Sequence, residues 1–273
     1  MVSLSYTVDG PEDAPVLVLG PSLGTDTRLW EPQVALLAAR YRVVRYDHRG
    51  HGRSPVPPGP YQLDDLGGDI LALLDHLGAT RAHLAGVSLG GMVAMWVAAH
   101  APQRVDRLAL VCTSARLGPP RLWAERAAAV RDGGLGAIAD AVVARWTPPE
   151  FAQRNPDVVN GLREMLVSQP PDGYVACCAA IETMDLEPAL GRIVAPTLVI
   201  AGLEDQAIPP AHGQRIATLI ADARLTLVSG AAHLPNVSRP RFVGQLLADF
   251  LSGADNPDDH TMKDGDTMRT ATG

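Results

Sequence analysis

The chain has 273 residues, 47% of them hydrophobic, and a formal net charge of −7. That length suits one large α/β domain with an insertion, and the acidic balance argues against nucleic acid as the main partner, since phosphate binding needs a clustered basic surface. Met1–Gly20 lacks the basic start and long apolar core of a signal peptide, and the longest apolar runs, Met92–Ala99 and Tyr174–Ile181, are too short to span a bilayer, so a cytoplasmic location and no membrane partner are expected.

Short apolar runs punctuate the chain. Val16–Leu19, Arg42–Tyr46, Ala82–Val87 and Arg107–Val111 read as strands, each rich in Val or Leu and bounded by Gly, Pro or Asp. Between the second and third, Leu63–Leu77 places Leu63, Leu66, Ile70, Leu73, Leu74 and Leu77 at helical spacing. This alternation predicts an α/β fold with a mostly parallel central sheet and helices on both faces.

The rhythm breaks after Ser114. From about Gly118 to Asp185 the pattern is helical, with Arg121–Arg131 and Leu135–Trp146 as helices and Pro148-Pro149 ending the second. Pro156 can open a third helix, and Pro170-Pro171 separates a fourth at Tyr174–Thr183. Strands return at Thr197–Ala201 and Arg224–Val228. The expected organisation is therefore core at residues 1–117, helical cap at 118–185, core again at 186–252, and a polar, disordered tail at 253–273. A cap placed there would cover the carboxyl edge of the sheet, where open α/β folds bind ligands. Cys112, Cys177 and Cys178 form no disulfide framework and read as core thiols.

Gly86-Val87-Ser88-Leu89-Gly90-Gly91 contains Gly-x-Ser-x-Gly. The pattern alone is weak. Here an apolar strand runs into it and the helical composition of Met92–Ala99 follows, which is the strand–turn–helix setting of a nucleophile elbow. Small neighbours let the serine adopt a strained backbone, and the helix N-terminus turns N–H groups toward its hydroxyl. Ser88 is the candidate nucleophile.

A serine nucleophile needs a general base, and the base an orienting carboxylate. With such an elbow the chain order is Ser, acid, His. His212, His233 and His260 follow the insertion; His260 lies in the tail and His212 at a helix start. His233 lies past the carboxyl end of a strand and is the candidate base. Asp205 lies past the end of Thr197–Ala201 and is the candidate acid, with neighbouring Glu204 as competitor. The oxyanion hole needs two backbone N–H donors. Leu89, after the nucleophile, supplies one; Leu23, in Gly20-Pro21-Ser22-Leu23-Gly24, is the choice for the other, because Pro21 has no N–H.

These residues resemble those of the 3-oxoadipate enol-lactonases of the α/β-hydrolase superfamily. The likeness covers about residues 3–252. Asp47-His48-Arg49-Gly50-His51-Gly52-Arg53-Ser54 and the Ser88, Asp205 and His233 segments mark the superfamily. More specific are Ser22–Asp26 with Trp30, Thr113–Arg116, Arg145-Trp146-Thr147-Pro148, Pro171-Asp172-Gly173-Tyr174 and Cys177–Ile181. The chain departs from the family at Gly20-Pro21, where Ser-Asn is usual, and at Pro235-Asn236, where Ser-Asn again is usual.

The resemblance implies the α/β-hydrolase fold, Ser88, Asp205 and His233 as triad, and Leu23 and Leu89 as oxyanion donors. It implies no cofactor and a carboxylated lactone as small-molecule partner, opened through an acyl-enzyme in aromatic catabolism (the β-ketoadipate pathway). Arg116, at the core–cap junction, is the candidate for the substrate carboxylate, with a surface role as its alternative. Trp123 and Trp146 are candidates for the pocket wall or for packing within the cap. His48 and His51 lie close together, but no further ligand accompanies them, so no metal site is expected. The same scaffold also serves esterases, carbon–carbon bond hydrolases, cofactor-free perhydrolases and ligand receptors, and a homo-oligomer is compatible with the sequence.

Overall fold

A computed structural model describes residues 1–253 of the chain. The expectation for the tail lies outside these residues, except at Gly253, whose left-handed backbone (φ 71°) caps the last helix. Among the described residues, no helix is long and apolar enough to cross a membrane.

The sheet has seven strands: β1 (Tyr6–Asp9), β2 (Val16–Gly20), β3 (Arg42–Tyr46), β4 (Ala82–Val87), β5 (Val105–Val111), β6 (Thr197–Gly202) and β7 (Ala223–Val228). Their spatial order is β1-β3-β2-β4-β5-β6-β7, and only β1 runs antiparallel. Consecutive residues of β2, β4, β5 and β6 are buried, as strands covered on both faces must be. The chain leaves β2 for β3 on one side, and β4 pairs with β2 on the other. This topological switch point opens a crevice at the carboxyl ends of β2 and β4.

The crossover helices are α1 (Glu31–Leu37), α2 (Leu63–His76) and α3 (Leu89–His100). Nearly all of α3 is buried, so its sequence reads as uniformly apolar rather than striped. Between β5 and β6 lie only helices: α4 (Pro120–Gly133), α5 (Gly136–Val143), α6 (Pro149–Arg154), α7 (Pro156–Val167) and α8 (Pro171–Thr183), with a further 3-10 turn. The chain closes this excursion where the Leu186 N–H donates to the Ala115 carbonyl at 2.8 Å. After β6 come α9 (Pro210–Leu219), α10 (Pro235–Ser238) and α11 (Pro240–Ser252).

Two expectations are corrected, and one strand is not read from the sequence. The helix read as Leu135–Trp146 ends at Val143, and Pro149 opens α6 instead of only ending its predecessor. Likewise Pro171 is the first residue of α8, not a separator before it. Proline fixes φ near the helical value and lacks only an N–H that the first turn leaves unpaired, so it starts helices as readily as it stops them. The unread strand is β1, an antiparallel edge strand of four residues, none of them buried, that carries too little apolar pattern to be read.

Candidate active site

Four loops meet at the carboxyl edge of the sheet. Ser88 follows β4 directly, with φ 54° and ψ −115°, a region that residues with side chains rarely occupy. The fold holds it there by packing backbone on backbone. A Cβ on Gly86 would fall on Gly90, and one on Gly90 would fall on the Gly20 carbonyl, so only glycine fits at either side of the turn. The Ser88 N–H donates to the Val111 carbonyl at 2.9 Å, and Thr113 Oγ1 donates to the Ser88 carbonyl at 2.7 Å. The serine is thereby fixed on both sides of its Cα.

β6 and β7 are parallel neighbours, so the loops after them emerge side by side. Asp205 comes from the first and His233 from the second, and Asp205 Oδ2 lies 2.8 Å from His233 Nδ1. The other carboxylate oxygen, Oδ1, accepts the N–H groups of Ala207 and Ile208 at 2.8 and 2.9 Å. Both residues are buried. The competitors stand elsewhere. Glu204 is exposed, and His212 Nδ1 lies 2.8 Å from Ser114 Oγ.

Ser88 and His233 line one cavity of about 60 Å³, together with Ser22 and Leu23 from the loop after β2. Leu89 is the first residue of α3, where an N–H precedes the helical hydrogen-bond ladder. Ser88, Asp205, His233 and the two oxyanion candidates are therefore gathered at one edge of the sheet, as the chain order requires.

The far wall belongs to α4–α8 and the turn after α5. Trp123, Arg126, Val142, Arg145, Trp146 and Tyr174 line it. Trp123 and Trp146 thus face the cavity, and Trp146 also ties this wall to the core, its carbonyl accepting the Leu234 N–H at 2.8 Å. Arg116 does not. Its side chain is 68% exposed, its guanidinium lies 3.7 Å from Asp185, and it is absent from the cavity wall. The alternative surface role is where the structure places it.

The arginines that line the cavity with Ser88 are Arg126 and Arg145. The Arg126 guanidinium carbon lies 4.6 Å above the Trp123 ring. Arg145 Nε donates to the Ala141 carbonyl at 3.2 Å. Burial, and then the neighbouring Arg126 charge, hold the Arg145 guanidinium below its ordinary pKa. Among the described residues neither arginine forms an ion pair, so the cavity holds two cations and lacks an anion to match them. Arg145 stands in one of the family-specific runs, but a helical run does not say which residue turns inward.

Among the described residues, no cluster of three or more His, Cys, Asp or Glu side chains is arranged to hold a metal ion. His48 and His51 instead face backbone groups. The two sequence departures are accommodated locally. Pro21 offers its carbonyl to the Gly90 N–H at 3.0 Å, and Pro235 is the first residue of α10, where an N–H is dispensable.

This fold and this gathering of side chains define the α/β-hydrolase class. Residues 15–240 match the alpha/beta hydrolase fold family, and the chain belongs to it. Within it, 3-oxoadipate enol-lactonase 2 of Acinetobacter baylyi is 39% identical over 240 residues, covering 88% of this chain and 90% of its own. The crystal structure of the enol-lactonase from Burkholderia xenovorans LB400 superposes with a TM-score of 0.89 at 42% identity, covering 91% of this chain and 96% of that one. A RutD protein of Variovorax paradoxus, which carries a carbamate-hydrolase name, is 33% identical over 264 residues, covering 93% of this chain and 98% of its own. The resemblance to enol-lactonases thus extends over most of the chain, and the chain is an ester-hydrolysing enzyme.

Proposed function

We propose that the chain opens 3-oxoadipate enol-lactone to 3-oxoadipate, with Ser88 as nucleophile, His233 as base and Asp205 as its orienting acid. The observation that carries this reading is the pair of unmatched cations, Arg126 and Arg145, in the cavity that holds Ser88. A neutral ester has no use for two half-buried guanidiniums, whereas a lactone bearing a carboxylate neutralises them on binding. The α4–α8 segment then acts as the cap that supplies both the charge and the shape of the pocket.

The steps follow from the placement of the groups. The substrate carboxylate sits against Arg126 and Arg145 and brings its lactone carbonyl to Ser88. His233 accepts the Ser88 proton as the oxygen attacks, and the N–H groups of Leu23 and Leu89 receive the oxyanion. The ring C–O bond breaks, His233 returns its proton to the leaving enol oxygen, and the enol tautomerises to the ketone. His233 next takes a proton from water, which attacks the acyl-enzyme and releases the second carboxylate. Asp205 keeps its proton-free form throughout and stabilises the imidazolium.

The decisive measurement is the loss of the enol-lactone's ultraviolet absorbance with purified protein, beside Ser88→Ala, a neutral aryl acetate and a carbamate. Rapid lactone opening that Ser88→Ala abolishes is expected. Turnover of the carbamate or the aryl acetate without the lactone would overturn the proposal.

A further inference from the structure

Two buried histidines outside the triad touch the loop that carries Leu23. The loop after β2 is held on both sides of that residue. On one side the Pro21 carbonyl accepts the Gly90 N–H at 3.0 Å and lies 2.9 Å from His48 Nε2. On the other the Gly24 N–H donates to His51 Nε2 at 3.0 Å.

These partners dictate the protons. A carbonyl can only accept, so His48 carries its hydrogen on Nε2. A backbone N–H can only donate, so His51 Nε2 is bare and its hydrogen sits on Nδ1. That nitrogen faces the Arg49 carbonyl at 3.5 Å and Cys177 Sγ at 3.9 Å. The two imidazoles, packed edge to face with centroids 6.1 Å apart, are thus required in opposite tautomers.

We infer that His48 and His51 are positioning residues for the oxyanion hole: as opposite tautomers they clamp the loop on either side of Leu23 and set its N–H toward Ser88. The inference rests on the reading of Ser88 as nucleophile. Pro21 takes its two donors from two sources, one of them Gly90 on the elbow helix itself, so the clamp refers the loop to the nucleophile's own turn. Gly24 is tied to the Asp47–Ser54 segment through His51, which gives that segment a role besides its turn. The surroundings keep both rings neutral. His48 is faced by Tyr46 at 5.0 Å and His51 by Tyr174 at 6.3 Å, with Cys177 and the more distant Asp26 charge completing the set. Burial pushes His48 down to about 3 and His51 down to about 4. A protonated His51 would set a donor against the Gly24 donor and release the loop.

The test uses full-length protein, an aryl acetate substrate, and a boronic acid that adds to Ser88 as a tetrahedral anion. His51→Leu removes the acceptor. We expect kcat and boronate affinity to fall together by about ten- to a hundredfold, with KM within about twofold, because a displaced oxyanion donor is felt in the transition state. His51→Gln, whose amide oxygen can accept the Gly24 N–H, should recover most of the loss, and His48→Gln, which keeps a donor for Pro21, should resemble it. Unchanged kcat in His51→Leu, a KM rise as large as the kcat loss, or no recovery with Gln would overturn the inference. Long-range ¹⁵N–¹H correlation on the unmodified protein reads the tautomers whether or not the variants fold. Nε2–H on His48 and Nδ1–H on His51 are expected, and any other pair overturns it. Retained activity in Ser88→Ala would instead locate the failure in the nucleophile reading.

Discussion

Asp205 Oδ2 lies 2.8 Å from Nδ1 of His233, and Asp205 Oδ1 is held by two N–H groups of its own turn. The carboxylate is therefore oriented by its own turn, and in the proposed triad it fixes the proton of His233 on Nδ1, leaving Nε2 free to accept. Asp205→Asn keeps the shape but can donate to Nδ1 and so favours the wrong tautomer. We expect kcat to fall by about 10³–10⁴-fold with the thermal midpoint little changed. Glu204→Gln, on an exposed side chain of the same loop, should stay within about twofold. Steady-state hydrolysis of an aryl acetate by both variants separates the two carboxylates, and a larger loss in Glu204→Gln would reverse the assignment.

The cavity's cations make a second prediction, one of charge selectivity. Removing a charge-assisted hydrogen bond to a bound anion costs about 1.5–3 kcal/mol. Arg145→Ala and Arg126→Ala should each raise KM for the carboxylated lactone by roughly ten- to a hundredfold and leave aryl acetate KM within about twofold. Arg116→Ala should leave both substrates unchanged, because its guanidinium points at Asp185 outside the cavity. Equal effects on the charged and neutral substrates would assign the arginines to packing rather than to recognition.

The contrast between Arg116 and Arg145 shows where sequence reading stops. Ser88, Asp205 and His233 could be singled out because each lies at or shortly past the carboxyl end of a strand, and strands in a parallel sheet all deliver those ends to one edge. The inner strands were legible for a related reason: burial on both faces leaves an unbroken apolar run. Residues on α4–α8 obey no such rule. Whether Arg126 or Arg131 faces the cavity depends on how α4 packs on α8, which no short motif encodes. Proline misled at Pro149 and Pro171 because the residue marks a helix boundary without saying which side the helix lies on. His48 and His51 stood out only as a paired motif, and their partners, Pro21 and Gly24, lie more than twenty residues away.

Gly173 and Gly50 meet where α8 is seated on the core. A Cβ on Gly173 would fall on the Gly50 backbone, which cannot yield like a side chain. Gly173→Ala should therefore lower stability by about 1–3 kcal/mol and disturb catalysis through Tyr174, the next residue and part of the cavity wall. Gly161, on α7, has open space where its Cβ would stand. Gly161→Ala should raise stability by about 0.5–1 kcal/mol without touching activity. Thermal unfolding of the two variants checks the pair, and a neutral Gly173→Ala would show that α8 does not depend on this close approach.

The buried histidines also predict how stability responds to acid. His48 and His51 ordinarily titrate near 6.5, and burial lowers them to about 3 and about 4. Between those values and 6.5 the unfolded chain binds protons that the folded chain refuses, so folding stability falls as pH falls. Partly buried His83 and His212 are shifted in the same direction. Buried Asp47 opposes them: its carboxyl is raised by burial, so it favours the folded state only as pH falls toward the carboxylate range. The histidines act over the wider and higher window, and their combined effect amounts to several kcal/mol. The thermal midpoint should therefore decline steadily from pH 6.5 to about 4. His51→Gln, which keeps the acceptor but cannot take a proton, should flatten that decline even where it lowers the midpoint at neutral pH. An unchanged slope in this variant would show that His51 is not the group that the acid reaches.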